Sequence, residues 1–334
     1  RANRLLTCGG DQREAVRVPT PHRDELVVTR GALRVHLLKG GSGAKEAIAL
    51  LAEAESRVEA PLVDEVERRR LHALATGGQV ATHWHGLLAR SDEATLGYAG
   101  VVLPARGGES NAELVVDRSR ARRGEAVSAL FDAVRQLAEA HVATGLVVWI
   151  RHATDEDLAR ARAAGFGVRR RLLVLGRPLG QMPPEPALPE GVKVRSYRPE
   201  VDDDAVVAVL RTAFEGRAES DWDHARLAQR RSFAWFDPTD LLIAQDPRGD
   251  VSAVHWTKRR GDGVGEVYVL AVTPAAQGIG LGRALLRAGL RHLWERGCHD
   301  VLLWVDEDNL AAINLYRSEG FTTRWVDVAF DAEL

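Results

Sequence analysis

The sequence predicts an α/β (α+β) protein made of two copies of one domain, each a mixed twisted sheet flanked by helices. The chain has 334 residues, more than the roughly 100–200 of a usual single domain. Strand patterns alternate with helical patterns in both halves. Two landmarks recur at nearly one offset, because 280 − 124 is 156 for Gly124 and Gly280, and 320 − 165 is 155 for Gly165 and Gly320. A recurrent order at one offset indicates a duplicated domain.

Composition and charge exclude several classes of protein. There are 45 Lys+Arg against 47 Asp+Glu, and this balance does not favour binding of nucleic acid or an anionic membrane by bulk charge. No apolar run approaches the ~20 residues that a membrane helix needs. The two cysteines, Cys8 and Cys298, cannot form a disulfide framework, and the ligand spacings of zinc sites are absent, so we expect no metal. We expect a cytoplasmic protein and a monomer.

A proline-rich segment divides the chain. Gln181–Gly191 holds four of the 13 prolines, and proline favours an extended, semi-stiff linker. The linker at 181–191 separates a first domain at 41–180 from a second at 192–334. Residues 1–40 have weak periodicity and are left as an unassigned N-terminal extension.

Periodicity predicts the elements of each half. In the second half the expected order is a helix at 202–215, strands at 241–244, 251–256 and 266–272, a helix at 283–296, a strand at 301–305, a helix at 310–318 and a strand at 323–330. In the first half it is a strand at 112–116, a helix at 124–140, a strand at 145–150, a helix at 155–164 and a strand at 171–175. Gly320 is placed to end the helix at 310–318.

The most informative segment is the glycine-rich loop Gln277–Gly282, which follows a strand and opens a helix. Glycine lets backbone N–H groups approach a ligand closely, and a helix N-terminus attracts anions. An ordinary strand-to-helix turn is the alternative. The loop lacks the Lys-Ser/Thr pair of a Walker motif and the glycine spacing of a dinucleotide-binding motif.

Two motifs carry a resemblance to a known superfamily. Gln277-x-x-Gly280-x-Gly282 resembles the acetyl-CoA pyrophosphate loop of the GNAT acyltransferases, and the segment Asp308–Phe321 resembles their second motif. The strings GEVYVLAVTPAAQGIGLGRALL, His255–Lys258 and Trp235–Pro238 resemble the mycothiol synthase family, over roughly 41–334. The resemblance implies a tandem GNAT fold, a degenerate first domain and a catalytic second domain that uses acetyl-CoA.

The resemblance also implies the residues that bind acetyl-CoA and transfer its acetyl group. The acceptor would be the cysteinyl amine of desacetylmycothiol (Cys-GlcN-Ins), and the step would belong to mycothiol biosynthesis. Glu266 matches the general base and Tyr316 the general acid; a solvent-facing charge and a packed aromatic are the alternatives. The residues that match acetyl-CoA contacts are Leu270, Ala271, Val272, Gln277, Gly278, Ile279, Gly280, Leu281, Gly282, Arg283 and Asn309, the last also a candidate helix cap.

Four residues match substrate contacts in that family: Asp64, Glu219, Lys258 and Trp304. Lys258 is one of four lysines among 45 basic residues, and lysine offers a compact donor that arginine does not mimic. This chain departs from the family at three places. Trp304 stands where tyrosine is usual, the segment Arg217–Ser220 differs, and Asp64 is shorter than the usual glutamate. Surface charges are the alternative for the three ionisable residues.

The first domain lacks the catalytic groups under the same offsets. Ser110 stands at the position of Glu266, and Ala161 at that of Tyr316. Leu114–Val116 could contact an unproductive acetyl-CoA, but Glu125 in the matching loop would repel phosphates. Two other functions stay open: another GNAT N-acetyltransferase, acting on a protein N-terminus or an aminoglycoside, and an acetyl-CoA-binding protein without turnover.

Overall fold

The computed structural model describes residues 28–30, 32–58, 60–104, 107–217 and 220–334. Contacts between Cα atoms divide the chain into two units. The first unit extends to Gly167 and includes Phe330–Leu334, and the second comprises Val168–Ala329. Within the described ranges, no helix is both long and apolar enough to cross a membrane.

The described part of the first unit holds a sheet in the order β1-β2-β3-β4-β5-β6 with four helices. All neighbouring strands are antiparallel except β5 and β6, which are parallel. Its elements are β1 (Val28–Arg30), β2 (Leu33–Leu37), α1 (Gly40–Val58), α2 (Glu65–Ala75), β3 (Trp84–Arg90), β4 (Thr95–Val102), β5 (Glu109–Val116), α3 (Arg123–Ala140), β6 (Gly145–Ile150) and α4 (Asp155–Ala163).

The second unit holds a sheet in the order β13-β7-β12-β11-β10-β9-β8 with another four helices. β11 and β12 are parallel, and the pairs β7/β12, β10/β11, β9/β10 and β8/β9 are antiparallel. Its elements are β7 (Gly167–Pro178), β8 (Lys193–Ser196), α5 (Asp203–Ala213), α6 (His224–Arg231), β9 (Leu241–Gln245), β10 (Val251–Arg259), β11 (Val264–Val272), α7 (Leu281–Glu295), β12 (Asp300–Asp306), α8 (Leu310–Ser318) and β13 (Thr322–Glu333).

The structure repeats the sequence offsets element by element. α4 and α8 differ by 155 at both ends, since 310 − 155 and 318 − 163 are both 155. In the first unit Ser110 pairs with Leu146, and in the second Glu266 pairs with Leu302, a difference of 156 on both strands. Ser110 and Glu266 therefore hold equivalent places in the two sheets.

The last strand of the first repeat lies in the second unit. β7 pairs with β12 in an unbroken antiparallel register from Leu172 opposite Asp306 to Pro178 opposite Asp300. The contacts thus divide the chain after Gly167, earlier than the boundary expected at residue 180. Residues 181–191 contain neither helix nor strand. The expected unassigned extension at 1–40 includes β1 and β2, and its residues 1–27 lie outside the described part of the chain.

Close approach to a strand explains a glycine inside α7. The apolar face of α7 buries Leu285, Leu286, Leu290 and Leu293. On the same helix, a Cβ at Gly289 would lie 2.1 Å from Cε1 of His255, whose ring is fully buried. Nδ1 of His255 is 2.9 Å from the carbonyl oxygen of Leu285, to which it can donate. Burial lowers the pKa of His255 to about 4, so the ring is neutral at pH 7.

Replacing Gly289 by alanine tests this packing. Helix propensity alone would stabilise the variant by up to ~1 kcal/mol. The overlap with His255 should instead destabilise Gly289→Ala by about 1–3 kcal/mol. Urea unfolding followed by circular dichroism measures the sign. Gly282→Ala in the same helix is the control, because a Cβ there meets only ordinary contacts, the nearest at 3.6 Å. A Gly289→Ala protein as stable as the control would contradict the steric argument.

Candidate active site

Two central strands of the second unit separate partway along their length. β11 pairs with β12 only from Val264 to Glu266, which lies opposite Leu302. Beyond that point β11 continues beside β10 as far as Val272. β12 continues beside β7 as far as Asp306. The sheet therefore opens between β11 and β12, and among the described residues no strand pairs with that edge of β11 beyond Glu266.

A β-bulge in β11 coincides with this opening. Trp256 of β10 lies opposite Val269. The next residue, Thr257, lies opposite Val267, so the register skips Tyr268. A bulge bends the strand that carries it and increases its twist. The bend gives a physical reason for β11 to turn away from β12 immediately after Glu266.

A pocket of about 250 Å³ lies between the separated strands. β11 contributes Val267–Leu270, and β12 contributes Trp304–Asp306. α8 contributes Asn309 and Tyr316, and β7 contributes Arg170. The pocket is therefore bounded by unpaired strand edges and by the helix that carries the second motif.

Glu266 lies where the strands separate, and its side chain is only 10% exposed. Nη1 of Arg260 donates a hydrogen bond of 2.9 Å to Oε2 of Glu266. Lys258 lies directly opposite Glu266 on β10. The carboxylate is thus paired with a guanidinium inside the fold, and it is not a solvent-facing strand charge. Glu266 is not among the residues that line the pocket, but its neighbour Val267 is. A fixed carboxylate beside a pocket can accept a proton through water.

Tyr316 lies on α8 and contributes to the wall of the pocket. Its ring packs edge-on against Phe321 with centroids 5.8 Å apart. Burial raises the pKa of Tyr316 well above the ordinary value for a phenol. The hydroxyl is therefore protonated at neutral pH, which is the state that a proton donor requires. Tyr316 is both a packed aromatic and a wall of the pocket.

The other predicted acetyl-CoA contacts on β11 and α8 differ in their surroundings. Asn309 lines the pocket and caps α8, since its Oδ1 accepts a hydrogen bond of 3.3 Å from the N–H of Ala312. Leu270 also lines the pocket. Ala271 is buried in the core beside α5, and the carbonyl oxygen of Val272 accepts a hydrogen bond from Gln277.

The glycine-rich loop leads into the N-terminus of α7 with two glycines in the left-handed region. Gly278 and Gly280 have φ values of 78° and 84°, which favour glycine. Gly280 is the N-cap of α7 and brings no side chain to cap the helix. The first N–H groups of α7 are therefore left to a ligand or to solvent. Ile279 is exposed between the two glycines, and Leu281, the first residue of α7, is buried in the core.

The side chain of Arg283 is engaged elsewhere in the second unit. Its Nη1 lies 3.3 Å from Oε1 of Glu319, a buried carboxylate. Arg287 donates two hydrogen bonds of 2.9 Å to the same carboxylate. Any contact of Arg283 with a ligand at the loop would therefore come first from its backbone N–H near the helix start.

Lys258 and Trp304 lie on strands that flank Glu266. Lys258 is buried, and its Nζ lies 4.5 Å from the centroid of the Trp235 ring. Trp304 lines the pocket, and its Nε1 donates a hydrogen bond of 2.8 Å to Oδ2 of Asp327. The indole is thus fixed in orientation by a buried carboxylate.

Of the two remaining predicted substrate contacts, one belongs to the first unit and the other falls outside the described residues. Asp64 belongs to the first unit, where it is the N-cap of α2 and its Oδ1 accepts a hydrogen bond of 2.6 Å from the N–H of Glu67. Glu219 lies outside the residues that the structure describes. Arg217, at the start of the segment that departs from the family, lines the pocket.

Sequence reasoning missed Arg260, Tyr268 and Asp327. Arg260 follows β10 and was not assigned to any element, although it lies two residues from Lys258, and alternation places such residues on one face of a strand. The bulge at Tyr268 leaves no signal, because the pattern of β11 is continuous. Asp327 is a buried carboxylate within an apolar strand, which is an unusual placement that sequence alone can flag.

The equivalent place in the first unit is closed. β5 stays paired with β6 from Glu109 through Glu113, which lies opposite Trp149, three residues beyond the Ser110 pair. The cavity lined by Leu114–Val116 has a volume of about 10 Å³, which is room for about one water molecule. The end of β5, which the resemblance would place against an acetyl-CoA, thus has no room beside it for that ligand.

The loop before α3 also differs from its counterpart before α7. A Cβ at Gly124 would lie 1.9 Å from Nη2 of Arg160, so a guanidinium covers this glycine. Arg123 donates to Asp157, and Glu125 pairs with Arg122 at 2.6 Å. Carboxylates of the first unit thus neutralise this arginine-rich loop.

Several known proteins are similar to this chain in sequence. The sequence profile of the acetyltransferase (GNAT) family matches residues 205–321. A mycothiol acetyltransferase from Thermomonospora curvata is 40% identical over 248 residues, which cover 74% of this chain and 82% of the relative. Another from Actinosynnema mirum is 40% identical over 295 residues, which cover 86% of this chain and 95% of the relative.

Solved structures share the fold at lower identity. A GCN5-related N-acetyltransferase from Sphaerobacter thermophilus has a TM-score of 0.71 and 21% identity, and the match covers 92% of this chain and 97% of that one. A tandem GNAT protein from the clavulanic acid biosynthesis pathway has a TM-score of 0.64 and 18% identity, with 90% and 98% covered. The tandem GNAT fold that the sequence predicts is confirmed.

Proposed function

The chain belongs to the mycothiol acetyltransferase family, and from that membership we propose that it transfers acetyl from acetyl-CoA to the cysteinyl amine of desacetylmycothiol (Cys-GlcN-Ins). It is an acetyl-CoA-dependent N-acetyltransferase. The observation that carries the assignment of the site is the opening between β11 and β12. This opening joins a buried carboxylate, a pocket lined by a protonated tyrosine and a helix N-terminus without a side-chain cap.

Acetyl-CoA would lie with its pyrophosphate on the loop Gln277–Gly282 and its thioester between the separated strands. The uncapped N–H groups at the start of α7 favour a negative ligand. Leu270 and its neighbours on β11 line the opening. Their backbone N–H groups, which β12 does not pair with there, would donate hydrogen bonds to the thioester oxygen. Asn309, the N-cap of α8, would contact the pantetheine arm.

The chemistry needs one proton acceptor and one proton donor. An α-amine has a reference pKa of about 7.7–8.0, so a modest base suffices to free its lone pair. Glu266 would take the proton, through a water, as the nitrogen attacks the thioester carbonyl. The C–N bond forms, the tetrahedral intermediate collapses, and the C–S bond breaks. Tyr316 would give its proton to the departing thiolate.

The acceptor would be recognised on the side of β10 and β12. Lys258 offers a compact donor to the sugar hydroxyls. Trp304 offers a flat face, although its N–H is already engaged with Asp327. Glu219 and Asp64 keep their proposed roles from the resemblance. The first unit would carry out no acetyl transfer of its own, because it lacks the base, the acid and the open cleft.

A panel of acceptors tests the proposal. Purified protein is incubated with acetyl-CoA and one acceptor at a time. The acceptors are Cys-GlcN-Ins, a peptide with a free N-terminus and an aminoglycoside. Because Cys-GlcN-Ins carries a thiol that a thiol reagent would also detect, the acetylated product and CoA are separated by chromatography. Turnover of Cys-GlcN-Ins far above the other amines is expected. Rapid turnover of the peptide or the aminoglycoside without turnover of Cys-GlcN-Ins would overturn the acceptor assignment.

The acid and base assignments predict the effects of two conservative substitutions. Glu266→Gln and Tyr316→Phe should each lower kcat by roughly 10²–10⁴-fold, because each removes a proton-transfer group while keeping its shape. The KM for acetyl-CoA should change little. Steady-state kinetics with both substrates varied gives these values. Turnover near that of the unsubstituted enzyme in either variant would remove that residue from the mechanism.

The acceptor-binding role of Lys258 predicts an asymmetric effect. Lys258→Ala should raise the KM for the acceptor more than the KM for acetyl-CoA, because its ammonium lies on β10, away from the loop before α7. Lys193→Ala on the exposed edge strand β8 is the matched control and should change neither constant. Equal effects of Lys258→Ala on both constants would exclude it from the acceptor pocket.

A further inference from the structure

We propose that Arg260 is a positioning residue for Glu266, and that Trp304 and Asp327 hold Arg260 in place. The proposal rests on the function proposed above, in which Glu266 is the base. Four side chains form a continuous chain of contacts, from Glu266 through Arg260 and Trp304 to Asp327. The last member is buried, so the chain of contacts is anchored inside the fold.

The first contact fixes one oxygen of the base. Nη1 of Arg260 donates a 2.9 Å hydrogen bond to Oε2 of Glu266, and the two side chains are 24% and 10% exposed. A charge-assisted hydrogen bond between groups so shielded is stronger than one at the surface. With Oε2 engaged, Oε1 is the oxygen that remains for the amine or for a bridging water. Arg260 thus selects the face of the carboxylate that receives the proton.

The second contact fixes the guanidinium. Cζ of Arg260 lies 5.2 Å from the centroid of the Trp304 ring. Tryptophan is the most favourable aromatic partner for a cation, and guanidinium stacks on it while still donating hydrogen bonds in its own plane. Nε1 of Trp304 donates to Oδ2 of Asp327 at 2.8 Å, which holds the ring against rotation.

The backbone places Arg260 at a tight corner. Its N–H donates a 2.7 Å hydrogen bond to the carbonyl oxygen of Val264, which closes the turn between β10 and β11. Asp262 and Gly263 within that turn have φ values of 60° and 71°. The Cα of Arg260 is therefore fixed relative to β11, and the guanidinium reaches Glu266 across a closed hairpin.

A purely structural ion pair is the competing explanation, and the neighbouring residue provides its control. Arg259 lies at the end of β10, where its Nε is 3.3 Å from Oδ2 of Asp240 and its Nη2 is 3.7 Å from Asp237. Arg259 therefore makes carboxylate contacts in the same hairpin without touching Glu266 or the pocket. Loss of either arginine removes an ion pair, but only loss of Arg260 should impair the base.

The test measures whether Arg260 acts through Glu266. Arg260→Met should lower kcat by about 10- to 100-fold, the effect of a lost hydrogen bond to a charged group, with the KM for acetyl-CoA unchanged. Arg260→Lys keeps the charge and should recover part of the loss. In the Glu266→Gln background, Arg260→Met should lower kcat by less than about twofold further, because the carboxylate that Arg260 positions is already gone. Trp304→Phe should fall between the unsubstituted enzyme and Arg260→Met.

Each alternative gives a different result. If the losses in Arg260→Met and Glu266→Gln multiply in the double variant, Arg260 does not act through Glu266 and the proposal is overturned. The same holds if Arg259→Met lowers kcat as much as Arg260→Met, or if thermal unfolding shows that both losses follow from lower stability. Should Glu266→Gln itself retain full turnover, the proposed base is wrong, which is a separate failure.

Discussion

The early end of the pairing between β11 and β12 is the constraint on which the whole site depends. Glu266 is the last residue of β11 with a partner on β12, and the bulge at Tyr268 turns the strand away from that neighbour. Unpaired backbone groups inside a protein are costly unless something else satisfies them. A bound thioester can do so, because its oxygen accepts hydrogen bonds where a strand would otherwise lie. This is the physical reason for proposing that the opening binds the thioester.

The first unit shows what the same fold does without this constraint. β5 remains paired with β6 through Glu113, and the cavity beside the end of β5 has a volume of only about 10 Å³. The side chains have changed in the same direction. Ser110 stands where the second unit has Glu266, and Arg160 covers Gly124, whereas a Cβ at the equivalent Gly280 would meet nothing within 4 Å. Closing the sheet satisfies more of the backbone, and it removes the place where an acyl group would be held. Better backbone pairing and the loss of the cleft are therefore two results of the same change in the sheet.

Sequence patterns predicted what is local and periodic. The helix at 310–318 matches α8 at both ends, because Asn309 caps it and Gly320, with φ 86°, ends it. The bulge at Tyr268 could not be predicted, since one skipped register leaves the apolar pattern of β11 unchanged. The placement of β7 in the second unit was missed for a related reason. Strand neighbours are set by long-range pairing, and sequence adjacency favoured the first half. Arg260 was missed because its two partners come from separate strands.

The contacts of Glu266 explain how a carboxylate can serve as the base proposed here. Nη1 of Arg260 donates to Oε2, and the side chain of Glu266 is only 10% exposed. One oxygen is therefore held, and the carboxylate keeps one orientation at the point where β11 and β12 separate. An α-amine ionises near neutral pH in water, so a modest base suffices to free its lone pair. In this arrangement Glu266 needs no unusual basicity, because its fixed orientation gives the proton a defined path.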